Sequence, residues 1–276
     1  MSKVGVCEWC LPVNGPFSVD FAAHTGFDGI QLGDLGGSQK GFPMLNEFIQ
    51  QGYLEAAART GLTIHSMHLH TLVRDGGHIY PMNSPEGEAA TLSIKNGVDA
   101  CCAMSIPCVN ISAFFGAMVK NDYDLQNLID HLKFAVEYGK DRGIYIAYEP
   151  AVSLERLFRV LDSIPELRLN YDLLNPFSLG LGEPMEELQK IDLSVIDHIH
   201  VKDRKYNHVH QRQGGRIAGE GDGNIKALIE LLKEKQYDNW YISESDYHAP
   251  TTYGLGADIS TVIRSDCEAI RTLVSV

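Results

Sequence analysis

The chain has 276 residues, 44% of them hydrophobic, and a formal net charge of −13. This length is sufficient for one large α/β domain or two smaller ones. The acidic balance argues against a nucleic-acid or membrane partner, because anionic phosphates are bound by clusters of Lys and Arg. The sequence begins with an apolar strand pattern and has no apolar run of about 18 residues, so we predict a cytoplasmic protein without a membrane span.

Short apolar strands and longer amphipathic helices are predicted to alternate along the whole chain. The strands are predicted at about 4–9, 29–33, 62–69, 108–114, 144–149, 167–172, 196–202 and 239–244. The helices are predicted at about 18–25, 44–60, 85–104, 122–142, 153–163, 184–191, 223–236 and 257–274. Segment 203–222 is predicted to be a long loop, in which His208 and His210 look like part of a lid or an interface.

Eight strand–helix units predict an α/β fold, a single (β/α)8 TIM barrel formed by residues 1–276 as one domain, because right-handed crossovers place helices outside a parallel sheet. The alternative is an open doubly wound sheet, which normally has a glycine-rich turn after its first strand. The segment at 10–16 contains no GxGxxG pattern. Cys7 and Cys10 form a CxxC pair without the spacing of a zinc site, so we expect free thiols.

Four ionisable residues lie at the ends of the last four predicted strands: Glu149, Asp172, His200 and Glu244. The carboxyl ends of parallel barrel strands meet at one rim, where neighbouring strands are about 5 Å apart. Three carboxylates and one imidazole at that rim can converge on a single divalent ion. This ligand set favours Mn²⁺, then Co²⁺ or Mg²⁺, then Zn²⁺.

Five short motifs occur in an order that resembles the xylose-isomerase-like TIM-barrel superfamily. They are Tyr148-Glu149-Pro150, Tyr171-Asp172, His198-Ile199-His200-Val201-Lys202-Asp203, Gly219-Glu220-Gly221-Asp222 and Ser243-Glu244-Ser245. Segments 4–9 and 25–33 also resemble the first two strands of that group, so the resemblance covers essentially the whole chain. The group includes ketose 3-epimerases, inosose isomerases and dehydratases, hydroxypyruvate isomerase and endonuclease IV.

The resemblance implies that Glu149, Asp172, His200 and Glu244 bind one divalent metal and that the partner is a small keto sugar or a related polyol. In the ketose epimerases the two glutamates face opposite sides of the reacting carbon, where one removes the proton α to the carbonyl and the other returns one. A carboxylate within hydrogen-bond reach is a competent general base, and the metal stabilises the resulting enediolate. We therefore predict that Glu149 and Glu244 are both metal ligands and proton-transfer groups.

Further residues near the rim are predicted to bind the substrate. Strand alternation places His68 and His70 on one face of the third strand, where they can bind a substrate or shuttle a proton. Trp9, at the end of the first strand, can stack on the apolar face of a sugar. Lys202 can reach the site from the strand of the metal histidine, and His198 shares the face of that histidine one layer lower.

Two positions depart from the epimerase pattern. Asn175 stands where the epimerases have a substrate-binding His, and its amide can hydrogen-bond a hydroxyl but cannot carry a proton. The substrate-binding Arg that follows the metal histidine in the family has no direct match, and Arg216 is favoured over Arg204 for that role.

The leading prediction is a metal-dependent sugar isomerase or epimerase. The main alternative is a metal-dependent lyase, either an inosose-type dehydratase or the metal-containing subunit of a carbon-glycoside deglycosidase acting on a 3-keto glycoside, which would need a second subunit. Asn175 and the long loop keep this alternative open. An enzyme like endonuclease IV would use more His ligands, and a non-catalytic binding barrel is a further alternative. Homo-oligomers are common in the resembling families.

Overall fold

The structure is a computed structural model and describes residues 2–206, 212–247 and 258–275. His208 and His210 lie outside these residues. Ten strands occur in the described part of the chain. They are β1 (Lys3–Cys7), β2 (Gly29–Gly33), β3 (Thr63–His68), β4 (Cys108–Ser112), β5 (Tyr145–Glu149), β6 (Arg168–Asp172), β7 (Ile196–Val201), β8 (Asp203–Tyr206), β9 (Arg212–Arg216) and β10 (Trp240–Ser243).

Eight of these strands form a closed barrel in the order β1-β10-β7-β6-β5-β4-β3-β2. Neighbours in the ring are consecutive barrel strands along the chain, except that the first and last strands, β1 and β10, pair to close the barrel. The pairing is parallel. Val6 of β1, for example, pairs with Ser243 of β10 on one side and with Ile30 of β2 on the other. The predicted (β/α)8 TIM barrel is therefore confirmed.

Helices connect the barrel strands. They are α1 (Pro16–His24), α2 (Glu47–Thr60), α3 (His70–Asp75), α4 (Pro85–Met104), α5 (Asp122–Lys140), α6 (Leu154–Ser163), α7 (Asn175–Ser178), α8 (Pro184–Lys190), α9 (Ile225–Glu234) and α10 (Ile259–Ser275). Side-chain caps explain where two of the longest begin. Ser84 accepts the N–H of Gly87 before α4, and Asn121 accepts the N–H of Asp124 before α5. No helix in the described residues has both the length and the apolar character to cross a membrane.

Two parts of the chain each form a compact unit. The first comprises Met1–Gln31, Ala56–Ile64 and Tyr171–Val276, and the second comprises Leu32–Glu55 and His65–Asn170. In the first unit, strand residues such as Val6 and Ile199 are fully buried. In the second unit, Met67 and Val109 are buried in the same way. Burial of these apolar side chains is the main stabilising contribution within each unit.

The segment predicted as a long loop contains a two-stranded antiparallel sheet made of β8 and β9. The prediction missed it because the segment has no apolar alternation. The buried carboxylate of Asp203 at the start of β8 accepts the N–H groups of Gly219 (2.9 Å), Gly221 (2.8 Å) and Gly223 (3.0 Å). A Cβ on Gly221 would lie 2.0 Å from Asp203 Oδ1, so this glycine-rich turn can close around the carboxylate only without side chains there.

The third strand is shorter than predicted. It ends at His68, and His70 begins helix α3. The prediction that alternation along one strand places His68 and His70 on the same face is therefore wrong, because the backbone leaves the extended conformation at Leu69. The two rings nevertheless contact each other, with their centroids 4.3 Å apart.

His78 makes the stability of the second unit dependent on pH. Burial, aided by the nearby charge of His131, lowers the pKa of His78 from 6.5 to about 3, although a hydrogen bond to Ser112 acts in the opposite direction. The ring is neutral in the folded protein, whereas in the unfolded chain it takes up a proton below pH 6.5. This contribution to stability is therefore complete above pH 6.5 and is lost as the pH falls towards 3.

We predict that His78→Gln flattens the dependence of the unfolding free energy on pH. Each unit of pKa shift corresponds to about 1.4 kcal/mol, so the wild-type protein should lose several kcal/mol more than the variant between pH 6.5 and 3.5. Urea unfolding at a series of pH values measures this difference. His24→Gln, at an exposed histidine, is the control and should follow the wild-type curve. Parallel curves for wild type and His78→Gln would contradict the prediction.

Candidate metal centre and active site

Asp172 is the last residue of β6, and its side chain is buried. Its Oδ1 atom accepts the backbone N–H groups of Leu174 and Asn175, each at 2.7 Å, at the turn into α7. Its Oδ2 atom lies 2.8 Å from Nζ of Lys202. The turn thus fixes Oδ1 through backbone hydrogen bonds and directs Oδ2 towards the ammonium of Lys202. Asn175 is buried beside Asp172 by the same turn.

His200 is fully buried in β7, where it pairs with Ile242 of β10. Its Nε2 atom lies 2.7 Å from Oε1 of Gln31, and its Nδ1 atom lies 3.6 Å from Oε2 of Glu244. His198, two residues earlier, is also fully buried, and its ring is tilted against that of His200 with the centroids 5.5 Å apart. Burial lowers the pKa of His198, although hydrogen bonding and charge from Asp197 act in the opposite direction.

Glu244 follows β10 directly, and its backbone N–H donates to the carbonyl oxygen of Val201. Its two carboxylate oxygens have different partners. Trp9 Nε1–H donates to Oε1 at 3.3 Å, and Lys202 Nζ donates to Oε2 at 2.5 Å. Burial alone would raise the pKa of Glu244, but the charges of Lys202 and His200 and the hydrogen bonds to both residues together outweigh it, and the pKa lies well below its ordinary value. The side chain is therefore held in its ionised form.

The residues on both sides of Glu244 are tied to a single buried carboxylate, that of Asp266 in α10. Its donors are the hydroxyls of Ser243 (2.9 Å), Ser245 (3.0 Å) and Tyr247 and the backbone N–H of Ala218 (2.8 Å). Burial raises the pKa of Asp266, and these hydrogen bonds oppose that rise. Because Ser243 and Ser245 flank Glu244, Asp266 limits how far the backbone at Glu244 can move.

The donor set of Asp172, His200 and Glu244 suits a divalent cation. Each residue offers one ligand atom, and these atoms lie within 4.8 Å of one another. The carboxylates of Asp172 and Glu244 share the ammonium of Lys202. Carboxylate oxygens with one imidazole nitrogen are ligands that Mn²⁺, Co²⁺ and Zn²⁺ accept. A bound cation would offset the charge that burial makes costly.

Cys7 lies near the Nε2 atom of His200, with Sγ 3.6 Å from that atom, whereas Glu244 lies near Nδ1. All six cysteines are free thiols, as expected from the sequence, and Cys102 is the only exposed one.

Glu149 and the two predicted substrate histidines belong to the second compact unit. Glu149 is the last residue of β5, is buried, and pairs with Ser112 at the end of β4. His68 Nε2 lies 2.8 Å from the hydroxyl of Ser112. His70 contacts the ring of His68. The ends of β3, β4 and β5 therefore carry a carboxylate, a hydroxyl and two imidazoles next to one another, which are groups that can bind and protonate oxygen atoms.

The other predicted substrate residues lie in different surroundings. Trp9 is held against Glu244 through its indole N–H, and Lys202 is buried between Asp172 and Glu244. Arg216 ends β9, where it pairs with Asp203 and its guanidinium donates to the carbonyl of Gly215 at 2.6 Å. Trp9 and Lys202 thus contact the candidate metal-binding carboxylates directly. Arg216 instead belongs to the β8–β9 sheet.

Sequence reasoning missed Gln31 and Asp266, and it left Asp203 without a role. Gln31 is fully buried in β2 and contacts His200. A polar residue within an apolar strand is the signal that identifies it. Asp266 has the corresponding signal, because an aspartate on the buried face of an amphipathic helix requires a partner.

The chain belongs to the xylose isomerase-like TIM barrel family, whose model matches residues 19–273. A curated relative from Actinoplanes sp., 2-epi-5-epi-valiolone 7-phosphate 2-epimerase, is 24% identical over 271 residues, which cover 97% of this chain and 96% of the relative.

Solved structures confirm the same fold. D-allulose 3-epimerase from Methylomonas sp. has a TM-score of 0.73 and 15% identity, covering 99% of this chain and 98% of the other. The probable 3-DHS dehydratase of petrobactin synthesis from Bacillus anthracis has a TM-score of 0.70 and 14% identity, covering 98% of this chain and 99% of the other. At these identities the likeness shows the fold, and the proteins named include both epimerases and a dehydratase.

We predict that Asp266→Ala destabilises the protein by roughly 3 kcal/mol or more, because it leaves buried hydroxyl and N–H donors without their acceptor. Denaturant unfolding measures the loss. Glu268→Ala, at an exposed position on the same helix, is the matched control and should change stability by no more than about 0.5 kcal/mol. A loss for Asp266→Ala no larger than that of the control would contradict the role of this carboxylate.

Proposed function

We propose that this protein is a divalent-metal-dependent isomerase or epimerase that acts on a small keto sugar or a related polyol and transfers a proton at the carbon α to a carbonyl. The observation that carries the proposal is the group of Asp172, His200 and Glu244, in which Asp172 and His200 are buried, Glu244 is partly buried, and the ligand atoms lie within 4.8 Å of one another. The two carboxylates share the ammonium of Lys202, and a divalent cation held by the same group would further offset their mutual repulsion.

Glu149 is proposed as the fourth ligand. It ends β5, and the barrel order places β5 beside β6 and β6 beside β7. The carboxyl ends of successive barrel strands converge at one rim. Three carboxylates and one imidazole support Mn²⁺ as the first choice, followed by Co²⁺ or Mg²⁺ and then Zn²⁺.

The chemistry is proposed to be proton transfer by Glu149 and Glu244. A divalent ion held by these residues would polarise a substrate carbonyl and make the neighbouring C–H more acidic. One glutamate would then accept the proton and the other would donate one. The carboxyl of Glu244 is ionised, because its pKa is well below the ordinary value, and an ionised carboxylate can accept a proton. Trp9 and Lys202 hold that carboxylate in one orientation through separate oxygens.

The substrate is proposed to be a polyhydroxylated small molecule. His68, His70 and Asn175 carry hydrogen-bonding groups suited to hydroxyls, and Lys202 and Arg216 add positive charge for carbonyl or other oxygen acceptors. The names of the curated relative and of the allulose epimerase support a carbohydrate-like substrate.

A lyase is the second candidate function. The structural neighbour described as a probable 3-DHS dehydratase favours it, because elimination begins with the same removal of a proton α to a carbonyl. Asn175 is the residue of this chain that bears on the choice, since an amide there binds an oxygen but cannot return a proton. The two candidate functions therefore differ in the step after proton removal. An epimerase returns a proton, whereas a lyase expels a leaving group.

We expect Asp172→Ala to reduce bound metal strongly and to abolish turnover, because it removes one ligand and leaves Lys202 without one of its two carboxylate partners. Elemental analysis after incubation with Mn²⁺ and desalting measures the metal content. Asp162→Ala, at an exposed aspartate, is the control and should retain the metal content of the wild type. Full metal occupancy in Asp172→Ala would defeat the proposed site.

Incubation of the Mn²⁺-loaded enzyme in D₂O with ketohexoses, inososes and 3-keto glycosides tests the reaction. We expect solvent deuterium at the carbon α to the carbonyl, with little incorporation by Glu149→Gln or Glu244→Gln. Mass spectrometry then separates the two candidates, because isomerisation retains every heavy atom and dehydration removes water. Conversion of a substrate with no solvent deuterium in the product would contradict transfer by two separate glutamates, because the second glutamate would deliver a proton that has exchanged with the solvent.

A further inference from the structure

Asp34 is a buried carboxylate that the proposed reaction does not use. It follows β2 directly, and its side chain is enclosed by the protein. Its Oδ2 atom accepts the backbone N–H of Thr71 at 2.9 Å, and its Oδ1 atom accepts the backbone N–H of Gly36 at 3.1 Å. One carboxylate therefore joins the turn after β2 to the first turn of α3, 37 residues further along the chain.

The first turn of α3 needs a hydrogen-bond acceptor from outside the helix. The N–H groups at the start of a helix have no partner within it, and the residue before the helix usually supplies one from its side chain. Leu69 stands at that position and makes no side-chain cap. Thr71 is buried, so water has little access to its N–H. Asp34 supplies the missing acceptor, and its negative charge suits the positive end of the helix dipole.

The turn after β2 and the start of α3 fit together closely. A Cβ on Gly37 would lie 1.5 Å from Oγ1 of Thr71, so the threonine occupies its place only because residue 37 has no side chain. Leu35, next to Asp34, is held at a φ of 52°, a left-handed conformation that residues other than glycine rarely adopt. Backbone strain of this kind persists only where the surrounding contacts determine the conformation. The position of Asp34 relative to Thr71 is therefore well defined.

The other end of α3 is held by the loop after β4. Gly76 follows the helix, and a Cβ there would lie 2.4 Å from the carbonyl oxygen of Gly116 in that loop. The first residue of α3 is His70, whose ring contacts the ring of His68 with the centroids 4.3 Å apart. His68 Nε2 in turn lies 2.8 Å from the hydroxyl of Ser112 at the end of β4. The direction in which α3 begins therefore determines where the His70 ring lies relative to His68.

We propose that Asp34 is a positioning residue for substrate binding: its carboxylate fixes the first turn of α3 and so holds the imidazole of His70 beside that of His68. The inference rests on the proposed function for its consequence, because the two imidazoles bind substrate hydroxyls only if the protein acts on a polyhydroxylated molecule. The position of His70 itself is a property of the protein without substrate. Asp34 acts through His70 and takes no part in the chemistry.

The geometric part is tested by NMR on the metal-free protein. In Asp34→Ala the N–H of Thr71 loses its acceptor, and we expect its hydrogen exchange to become about tenfold faster or more, relative to the N–H of Leu132 in the buried part of α5. The imidazole signals of His70, assigned with the variant His70→Gln, should shift as well. A general loss of stability would instead speed exchange at Thr71 and Leu132 together. Unchanged relative exchange at Thr71, or unmoved His70 signals, would overturn the proposal.

Asp75→Ala is the matched control. Asp75 is exposed and joins the far end of α3 to the same loop after β2, through the side-chain amide of Gln39 at 3.1 Å. The variant should leave the exchange of Thr71 and the signals of His70 as in the wild type. Changes as large as those of Asp34→Ala would show that any contact between the loop and α3 has this effect, and would contradict a specific role for Asp34.

Kinetic measurements then separate positioning from a purely structural role. With the Mn²⁺-loaded enzyme and the substrate that it converts best, we expect Asp34→Ala to raise KM about tenfold or more and to change kcat less than about threefold, because His70 is proposed to bind the substrate. Asp34→Asn keeps an amide oxygen as helix cap and should keep KM within about threefold of the wild type. A variant that is merely less stable contains less active enzyme, so its apparent kcat falls at unchanged KM. That result for Asp34→Ala would overturn the positioning role.

A double variant tests whether Asp34 acts through His70. If it does, Asp34→Ala should raise KM no more than about twofold further in a protein that already carries His70→Gln. Independent effects, which multiply in the double variant, would contradict the inference. If Asp34→Ala does not fold, Asp34→Ser takes its place in every measurement, because a serine hydroxyl can still accept the N–H of Gly36 in the turn but is too short to reach Thr71 as well.

The experiments distinguish failure of this inference from failure of the proposed function. A wild-type protein that converts no ketohexose, inosose or 3-keto glycoside, but shows the expected changes at Thr71 and His70, overturns the proposed function and leaves the positioning of His70 standing. An active enzyme whose KM is the same with and without Asp34→Ala overturns the inference and leaves the proposed function standing.

Discussion

The site depends on one constraint, which is that two carboxylates share one ammonium. Asp172 and Glu244 are both within hydrogen-bond distance of the Lys202 ammonium, at 2.8 Å and 2.5 Å. Asp172 is buried and Glu244 is partly buried, so water screens the repulsion between the two carboxylates less than it would at the surface. The surrounding structure therefore holds the two groups in place.

Different hydrogen bonds hold the two carboxylates in position. Asp172 is fixed by two backbone N–H groups of the turn that follows its own strand. Glu244 is fixed indirectly, because the residues before and after it are bonded to Asp266 in the last helix. The hydrogen bonds of Asp172 are local in the chain, whereas those that position Glu244 join segments far apart in the chain. Hydrogen bonds outside the site thus offset the electrostatic repulsion between the two carboxylates within it.

Much of the architecture was predictable from the pattern of the sequence. The barrel strands were found because each is a short apolar run followed by a helix of period 3.6, and eight such units have few ways to pack. The sequence indicated the four candidate ligands because they interrupt the apolar pattern at strand ends. The α3 helix was missed because its sequence continues the polar–apolar pattern of β3, and the β8–β9 sheet was missed because its residues are polar and glycine-rich.

The sequence by itself determined the barrel, the family, and the identity of the polar residues at the strand ends, because these depend on local periodicity and on the order of short motifs. Only the tertiary structure decided which atoms face one another. Gln31 and His200 are separated by 169 residues along the chain, and their contact carries no local signal. Hydrogen-bond direction depends on distances of a few tenths of an ångström between such remote groups. Which oxygen of Asp172 lies against the Lys202 ammonium is therefore a property of the folded chain alone.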